Sequence, residues 1–203
     1  MIEVHHLSSS RSRRITWLLE ELGLPYTVVG YQRDPATNLA PPELKAIHPL
    51  GKAPVLRDDG RVVIESGAIV DYLLRHYGHG RFAPAQDSPD YDRYVQLLHY
   101  AEGSAMLPVL LKVYVGRLGE AGAPLHPRIQ NEMQNHMGWL DRELEGRDWF
   151  VGNALTGADV QLSFVAQAAV RMSGRDAFPN LTRFVDRIET RPAYQRAVAR
   201  SGA

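Results

Sequence analysis

The chain has 203 residues, in which 23 lysines and arginines balance 23 aspartates and glutamates, and it contains no cysteine. A formal net charge of zero leaves no overall field to attract nucleic acid or an acidic membrane, and no apolar run is long enough to span a bilayer. The lack of cysteine excludes disulfides, thiolate metal sites and a thiol nucleophile of the protein's own. We therefore predict a cytoplasmic protein without a metal or prosthetic group, in which any sulfur chemistry comes from a ligand.

The first 77 residues show the mixed pattern of a small α/β unit. Ile2 to Leu7 predicts a strand, and the helix that follows carries its leucines on one face and ends at Gly23. Tyr26 to Val29 predicts a second strand, and Pro41 to Ile47 predicts a short helix.

A hairpin is predicted next, because Asp59-Gly60 separates the short apolar runs Val55-Leu56 and Val62-Ile64. Pro54 stands where the first of these strands begins, a position that needs no ladder donor. If the bond before Pro54 is cis, Ala53 could offer its backbone N–H and C=O to an extended peptide. The alternative is an ordinary proline at the start of a strand.

The hairpin leads into an amphipathic helix that runs to about Tyr77, for which Ser66 is the predicted N-cap. The start of a helix can hold a small carboxylate, and Glu65 beside it could pair with an ammonium group. The two together would recognise the head of an amino acid. The alternative is that Ser66 only caps the helix.

Gly78 to Pro89 predicts a linker, and the pattern beyond it is helical throughout. We expect one long helical segment over Tyr91 to Leu118 with a bend near Pro108, and a second over Pro127 to Leu144. A third begins at Thr156-Gly157-Ala158-Asp159, which has the spacing of an N-terminal capping box. We assign Asp159 a role in folding.

Six segments together resemble the cytosolic glutathione transferase family, in the branch shared by bacterial and fungal enzymes. They span nearly the whole chain in the family's order, and they are Val4–Tyr26, Tyr31–Asp34, Pro41–Pro49, Gly51–Leu56, Glu65–Leu73 and Phe150–Val160. The resemblance implies an α/β plus all-α fold, with a thioredoxin-like glutathione-binding domain over 1–80 and an all-helical domain that forms the electrophile site over 88–203.

The resemblance also implies a function: a homodimer that conjugates glutathione to small hydrophobic electrophiles, as in detoxification. Reduction of organic hydroperoxides by the same thiolate is a further expectation, and isomerisation of an unsaturated diacid is less favoured because the cysteine of that branch is absent. The alternative is a non-catalytic binding or assembly module that keeps the fold. Such modules usually carry extra segments or lose the Glu-Ser pair, and this chain shows neither change.

Such an enzyme must activate a thiol whose pKa is about 8.5. To lower that pKa by about 2 requires about 2.7 kcal/mol of anion stabilisation, which one charge-assisted hydrogen bond of about 1.5–3 kcal/mol can supply. Serine-type members carry the hydroxyl four or five residues before the arginine that matches Arg14, so Ser10 is the first candidate and Ser9 the second. Arg11 could stabilise the thiolate or reach the glycine carboxylate. The alternative is that these serines cap the helix.

The remaining candidates follow from the same resemblance. The predicted glutathione-binding residues are Lys52, Ala53, Pro54, Glu65 and Ser66, and the predicted electrophile site contains Tyr100, Met106 and Leu107. Aromatic and methionine side chains suit varied apolar electrophiles, although core or subunit contacts explain many residues of this segment equally well.

Overall fold

The structure is a computed structural model, described for residues 1–201. The chain forms two compact units, one made of residues 1–83 together with the segment from Glu189 onward, and the other made of residues 84–188. Within residues 1–201, no helix is both long and apolar enough to cross a membrane. The predicted range 88–203 ends at two residues that lie outside the described part of the chain.

A four-stranded sheet forms the centre of the first unit, with strands β1 (Ile2–Leu7), β2 (Tyr26–Tyr31), β3 (Val55–Asp58) and β4 (Arg61–Ile64). The strand order is β2-β1-β3-β4, in which β1 and β2 are parallel and the other neighbours are antiparallel. The predicted hairpin is confirmed. Asp59 and Gly60 form its turn with φ values of 43° and 83°, a conformation that favours an Asp-Gly pair.

The helices of the described residues are, in chain order, α1 (Ser12–Leu22), α2 (Glu43–Ile47), α3 (Ser66–Tyr77), α4 (Tyr91–Tyr100), α5 (Met106–Gly116), α6 (His126–Glu143), α7 (Gly157–Ser173), α8 (Pro179–Glu189) and α9 (Pro192–Ser201). A π-helical segment, Ala101–Ala105, joins α4 to α5, and a 3-10 segment, Gly119–Leu125, precedes α6. The element order β1-α1-β2-α2-β3-β4-α3 of the first unit is the predicted thioredoxin-like order.

Helix α9 packs against α1, inside the first unit. Tyr194 meets the ring of Trp17 edge-on, with 5.5 Å between centroids, and the Arg191 guanidinium donates to both Glu21 carboxylate oxygens at 2.6 and 3.0 Å. The compact units therefore differ from the predicted division, which places all of 88–203 in one helical domain. Periodicity shows that a helix is amphipathic but does not show which core its apolar face joins.

The long helical segment of the second unit is interrupted before Pro108. Proline has no N–H to donate to the carbonyl four residues earlier, and its ring collides with that carbonyl. That residue is Ser104, and it lies in the π-helical segment Ala101–Ala105. The helix is therefore irregular near Pro108, where a bend was predicted, but the irregularity is a π-helical turn on the N-terminal side of the proline.

The predicted capping box at α7 is confirmed. The Asp159 carboxylate is fully buried and accepts hydrogen bonds from the backbone N–H groups of Phe150 (2.8 Å) and Thr156 (2.7 Å) and from the Thr156 hydroxyl (2.8 Å). Burial raises the pKa of Asp159 to about 6, against these hydrogen bonds, which lower it.

Candidate functional site

Three loops of the first unit emerge at one end of the sheet. Strand β1 ends two residues after His5, and His5 lies opposite Val55, with which β3 begins. Val55 also lies opposite Ile64, the last residue of β4. The loop after β1, the loop before β3 and the turn after β4 are therefore neighbours. They contain the predicted residues Ser9, Ser10, Arg11, Lys52, Ala53, Pro54, Glu65 and Ser66.

The Ser10 side chain is buried at the front of α1, with 7% of the residue exposed. Its Oγ lies 2.6 Å from the Ser12 Oγ and accepts the Ser12 backbone N–H at 3.3 Å. The Ser12 Oγ in turn lies 2.8 Å from Nδ1 of His6, which is also buried. Ser9, by contrast, is exposed and has a positive φ of 50°. The structure thus gives the two candidate serines different surroundings.

Arg33 holds the backbone of the loop that precedes Ser10. Its Nε donates to the carbonyl of Ser8 at 3.0 Å and its Nη2 to the carbonyl of Ser9 at 3.4 Å. The Ser8 N–H donates to the carbonyl of Tyr31 at 3.1 Å. The loop is therefore tied to the end of β2, and Arg33 is a supporting residue that was not among the predicted site residues.

The prediction that Ser66 caps α3 is wrong. Glu65 is the N-cap, with φ 67° and ψ 117°, and its carbonyl accepts the Ile69 N–H at 2.9 Å. Ser66 is the first helical residue, and its buried hydroxyl accepts a hydrogen bond from Nη1 of Arg14 at 3.1 Å. The hydroxyl therefore faces inward. A positive φ at a glutamate is costly and marks positions that the surrounding structure enforces, often at functional sites.

Arg14 connects the starts of two helices. It lies in the first turn of α1, is 1% exposed, and reaches Ser66 at the start of α3. The front of α1 and the front of α3 therefore lie within the length of one arginine side chain. The sequence offered a signal for this role: Arg14 stands four residues before Leu18 and eight before Leu22, on the apolar face of the helix.

The loop before β3 has the geometry that the sequence left open, since the Ala53–Pro54 peptide bond is cis. Pro54 is buried, Ala53 is partly exposed, and the Lys52 side chain is exposed. Arg11 is partly exposed and directly precedes α1.

The three residues predicted for the electrophile site have different environments within the second unit. The Tyr100 hydroxyl lies 2.6 Å from Nδ1 of His136, its ring meets Trp139 edge-on, and burial raises its pKa to about 12. Met106 is 2% exposed and belongs to the core, whereas Leu107 is 58% exposed. Their role in binding an electrophile stays a prediction.

The first unit is a thioredoxin-like domain by its sheet order and helix placement, and the second unit is all-helical. Residues 4–82 match the family model of the glutathione S-transferase N-terminal domain, and residues 104–192 match that of the C-terminal domain. Across residues 1–201, no group of three or more His, Asp and Glu side chains is placed to hold a metal ion.

Known proteins agree with these matches over nearly the whole chain. Glutathione S-transferase 1 of Saccharomyces cerevisiae is 30% identical over 96% of this chain and 92% of its own, and glutathione S-transferase 3 of Schizosaccharomyces pombe is 32% identical over 97% and 86%. The crystal structure of a glutathione S-transferase from Actinobacillus pleuropneumoniae superposes with a TM-score of 0.88 at 40% identity, covering 99% of this chain and 93% of that one.

A glutathione transferase family member from Pseudomonas fluorescens Pf-5, crystallised with two glutathione bound, superposes with a TM-score of 0.81 at 27% identity, over 97% of this chain and 92% of that one. The chain belongs to the glutathione S-transferase family, a family of transferase enzymes. The resemblance predicted from the sequence is confirmed.

Proposed function

We propose that this protein binds glutathione at the three-loop end of the sheet and conjugates its thiolate to small hydrophobic electrophiles, as a homodimer. The observation that carries the proposal is the buried Ser10 hydroxyl at the front of α1, beside the loops that the sequence selects for the tripeptide. The Pseudomonas fluorescens relative, crystallised with two glutathione bound, supports the choice of ligand.

Each part of the tripeptide has a partner in this arrangement. The backbone of Ala53 pairs with the cysteinyl unit, beside Pro54. The γ-glutamyl carboxylate lies at the start of α3 near Ser66, where the N–H groups of the first turn have no intrahelical acceptor, and the exposed Glu65 carboxylate pairs with the γ-glutamyl ammonium. The glycine carboxylate pairs with Lys52 or Arg11.

Ser10 supplies the hydrogen bond that stabilises the thiolate. One hydrogen bond to a charged acceptor contributes about 1.5–3 kcal/mol, and the partial positive charge at the front of α1 adds about 0.3–1 kcal/mol. Together they account for a bound thiol with a pKa about 1–3 below its solution value. Ser10 is favoured over Ser9 because its hydroxyl is held in place by Ser12, whereas the Ser9 side chain is exposed.

The test is the ultraviolet absorbance of the thiolate of enzyme-bound glutathione against pH, in the wild type and in Ser10→Ala, Ser9→Ala and Arg11→Ala. Ser10→Ala should raise the bound thiol pKa by about 1–2, while Ser9→Ala, the matched control, should titrate like the wild type. A shift in Ser9→Ala alone would transfer the role to Ser9. If all four proteins titrate alike, serine activation is ruled out.

Turnover distinguishes an enzyme from the alternative, a binding or assembly module. We expect retention on immobilised glutathione together with conjugation of aryl halides, and reduction of organic hydroperoxides as a side activity of the same thiolate. Retention without turnover on any electrophile would instead support the module. The Glu65-Ser66 pair at the strained turn before α3 favours the enzyme. The cytoplasmic location and the electrophile site at Tyr100, Met106 and Leu107 remain predictions from the sequence.

A further inference from the structure

We propose that His6 is a positioning residue for thiol activation, which acts through Ser12 to direct the Ser10 hydroxyl proton out of the protein toward the glutathione sulfur. The inference rests on the proposed function, because it assumes that Ser10 is the hydrogen-bond donor to the thiolate. Neither His6 nor Ser12 was among the residues selected from the sequence.

The three side chains form a continuous hydrogen-bonded row inside the first unit. The distances are 2.6 Å from Ser10 Oγ to Ser12 Oγ and 2.8 Å from Ser12 Oγ to Nδ1 of His6. The exposed fractions are 7% for Ser10, 0% for Ser12 and 3% for His6. Water therefore has little access to these hydroxyl groups, and the direction of each O–H bond is determined by the neighbouring side chain.

The direction of the row decides whether Ser10 can help a thiolate. A hydroxyl group has one proton to donate and two lone pairs that accept. The Ser10 Oγ already accepts the Ser12 backbone N–H. If the Ser12 hydroxyl also donates to Ser10, both lone pairs are used and the Ser10 proton is left for the sulfur. In the opposite direction the Ser10 proton points to Ser12, and the thiolate has no donor.

His6 selects between the two directions. If Nδ1 of His6 lacks a proton, the Ser12 hydroxyl must donate its proton to that nitrogen and cannot donate to Ser10. If Nδ1 carries a proton, it donates a hydrogen bond to the Ser12 Oγ, and the Ser12 hydroxyl is left to donate to Ser10. Burial, helped by the charge of Arg13, lowers the pKa of His6 to about 4, so the ring is neutral near pH 7 and carries a single proton. With that proton on Nδ1, every bond in the row runs from His6 toward the sulfur, and successive bonds polarise one another.

The neighbouring histidine provides a control within the same strand. Successive side chains of a strand point to opposite faces of the sheet, and His5 is also buried, at 2% exposed. Its Nδ1 lies 2.8 Å from the Tyr31 hydroxyl and its Nε2 lies 2.8 Å from a Glu3 carboxylate oxygen. His5 therefore matches His6 in residue type and burial, but its hydrogen bond is with Tyr31 and not with the Ser12 and Ser10 hydroxyls.

The experiment measures the bound thiol pKa from thiolate absorbance, and the dissociation constant of S-methylglutathione, which has no thiol. His6→Phe should leave about three- to tenfold less thiolate at a fixed pH below the pKa, because the Ser12 hydroxyl can then accept the Ser10 proton, and the dissociation constant should be unchanged. Ser12→Ala removes that competing acceptor, so adding it to His6→Phe should restore most of the thiolate. His6→Asn should recover most of the thiolate, because its amide nitrogen occupies the place of Nδ1 and donates. His5→Phe should titrate like the wild type.

A double variant separates this inference from the proposed function. Because His6 acts through Ser10, adding His6→Phe to Ser10→Ala should cause no further loss. The inference is overturned if His6→Phe titrates like the wild type, or is not restored by Ser12→Ala, while Ser10→Ala is shifted. If Ser10→Ala itself is unshifted, the donor assignment fails instead. Should His6→Phe not fold, His6→Val carries the test, since it also removes the donor nitrogen and suits a strand.

Discussion

Arg14 places a charged group in the interior of the first unit, with 1% of the residue exposed. Its Nη1 donates to the Ser66 hydroxyl across 52 positions of sequence. A buried acceptor that loses its donor costs about 1–3 kcal/mol. Arg14 therefore supports both the fold and the position of a proposed ligand residue.

Replacing Arg14 by methionine should lower the free energy of unfolding by about 1–3 kcal/mol and weaken glutathione binding, because Ser66 loses its anchor. Denaturant titration and calorimetry measure the two effects. The control is Arg75→Met, since Arg75 lies on the exposed side of α3 and pairs with Asp71 at 2.7 Å; such exposed pairs contribute about 0.5 kcal/mol or less. Unchanged glutathione affinity in Arg14→Met would contradict the anchoring role.

At the level of single residues, short motifs in the sequence selected candidates that remain predictions. Glu65 and Ser10 stand out by their neighbours along the chain. His6, Ser12 and Arg14 were not selected from the sequence, because the contacts that bring them to the candidate site join distant parts of the chain or lie outside any motif. His6 looks like any strand residue until the partner on α1 is known, and Ser12 looks like one serine among several.

At the scale of elements, the start of α7 depends on one carboxylate. Asp159→Ala should destabilise the protein by at least about 2 kcal/mol, because it leaves the buried N–H groups of Phe150 and Thr156 without their acceptor. Asp159→Asn keeps one acceptor oxygen, so its free energy of unfolding should lie between those of the wild type and Asp159→Ala. Asp176→Ala, at an exposed position, serves as the control in the same urea titration and should match the wild type. An equal loss of stability in Asp176→Ala would show that the effect does not come from the buried carboxylate of Asp159.

Replacing either of two glycines by alanine should change the stability of the protein, in opposite directions at the two positions. A Cβ at Gly78, just after α3, would lie 2.4 Å from the Leu74 carbonyl oxygen and 3.1 Å from that of Arg81, so Gly78→Ala should lower the melting temperature. Gly103 lies in the π-helical segment, and among the described residues an added Cβ there would meet nothing within 4 Å beyond its chain neighbours and the backbone of its own helix. Gly103→Ala should therefore stabilise the protein by about 0.5–1 kcal/mol. A loss of stability at Gly103 would show that the π-helical turn needs a glycine.

The sequence predicted the existence of the elements better than their ends. The hairpin, the thioredoxin-like order and the capping box of α7 follow from local chemistry. The N-cap of α3 was misplaced because a serine before an apolar run satisfies the capping pattern whether or not its hydroxyl turns inward to Arg14. The π-helical turn was missed because the effect of Pro108 falls on the residues before it.

At the scale of the whole molecule, acid should act unequally on the two units. Burial lowers the pKa of both His5 and His6, the latter to about 4, whereas an unfolded histidine titrates near pH 6.5. Between about pH 6.5 and pH 4 the unfolded chain therefore binds more protons, and the stability present above that range is lost as the pH falls. Asp159 in the second unit, with its pKa raised to about 6, acts in the opposite direction.

Hydrogen exchange, corrected for the intrinsic effect of pH, should show this difference. On going from about pH 7.5 to about pH 5, peptides from residues 1–83 should lose more protection than peptides from residues 84–188. His6→Phe, which cannot titrate, should reduce the pH sensitivity of the first group and leave the second unaffected. Equal losses in both groups would show that the buried histidines do not govern the acid response.

Because helix α9 belongs to the first unit, that unit is completed only after the end of the chain has been synthesised. On the ribosome, residues 84–188 emerge before the segment that carries Tyr194, the edge-on partner of Trp17. Until then, part of the apolar face of α1 has no cover on the nascent chain. The thioredoxin-like unit therefore cannot mature as an independent module during synthesis, and a gene fusion or split that separates Trp17 from Tyr194 would deprive that unit of a piece of its own interior.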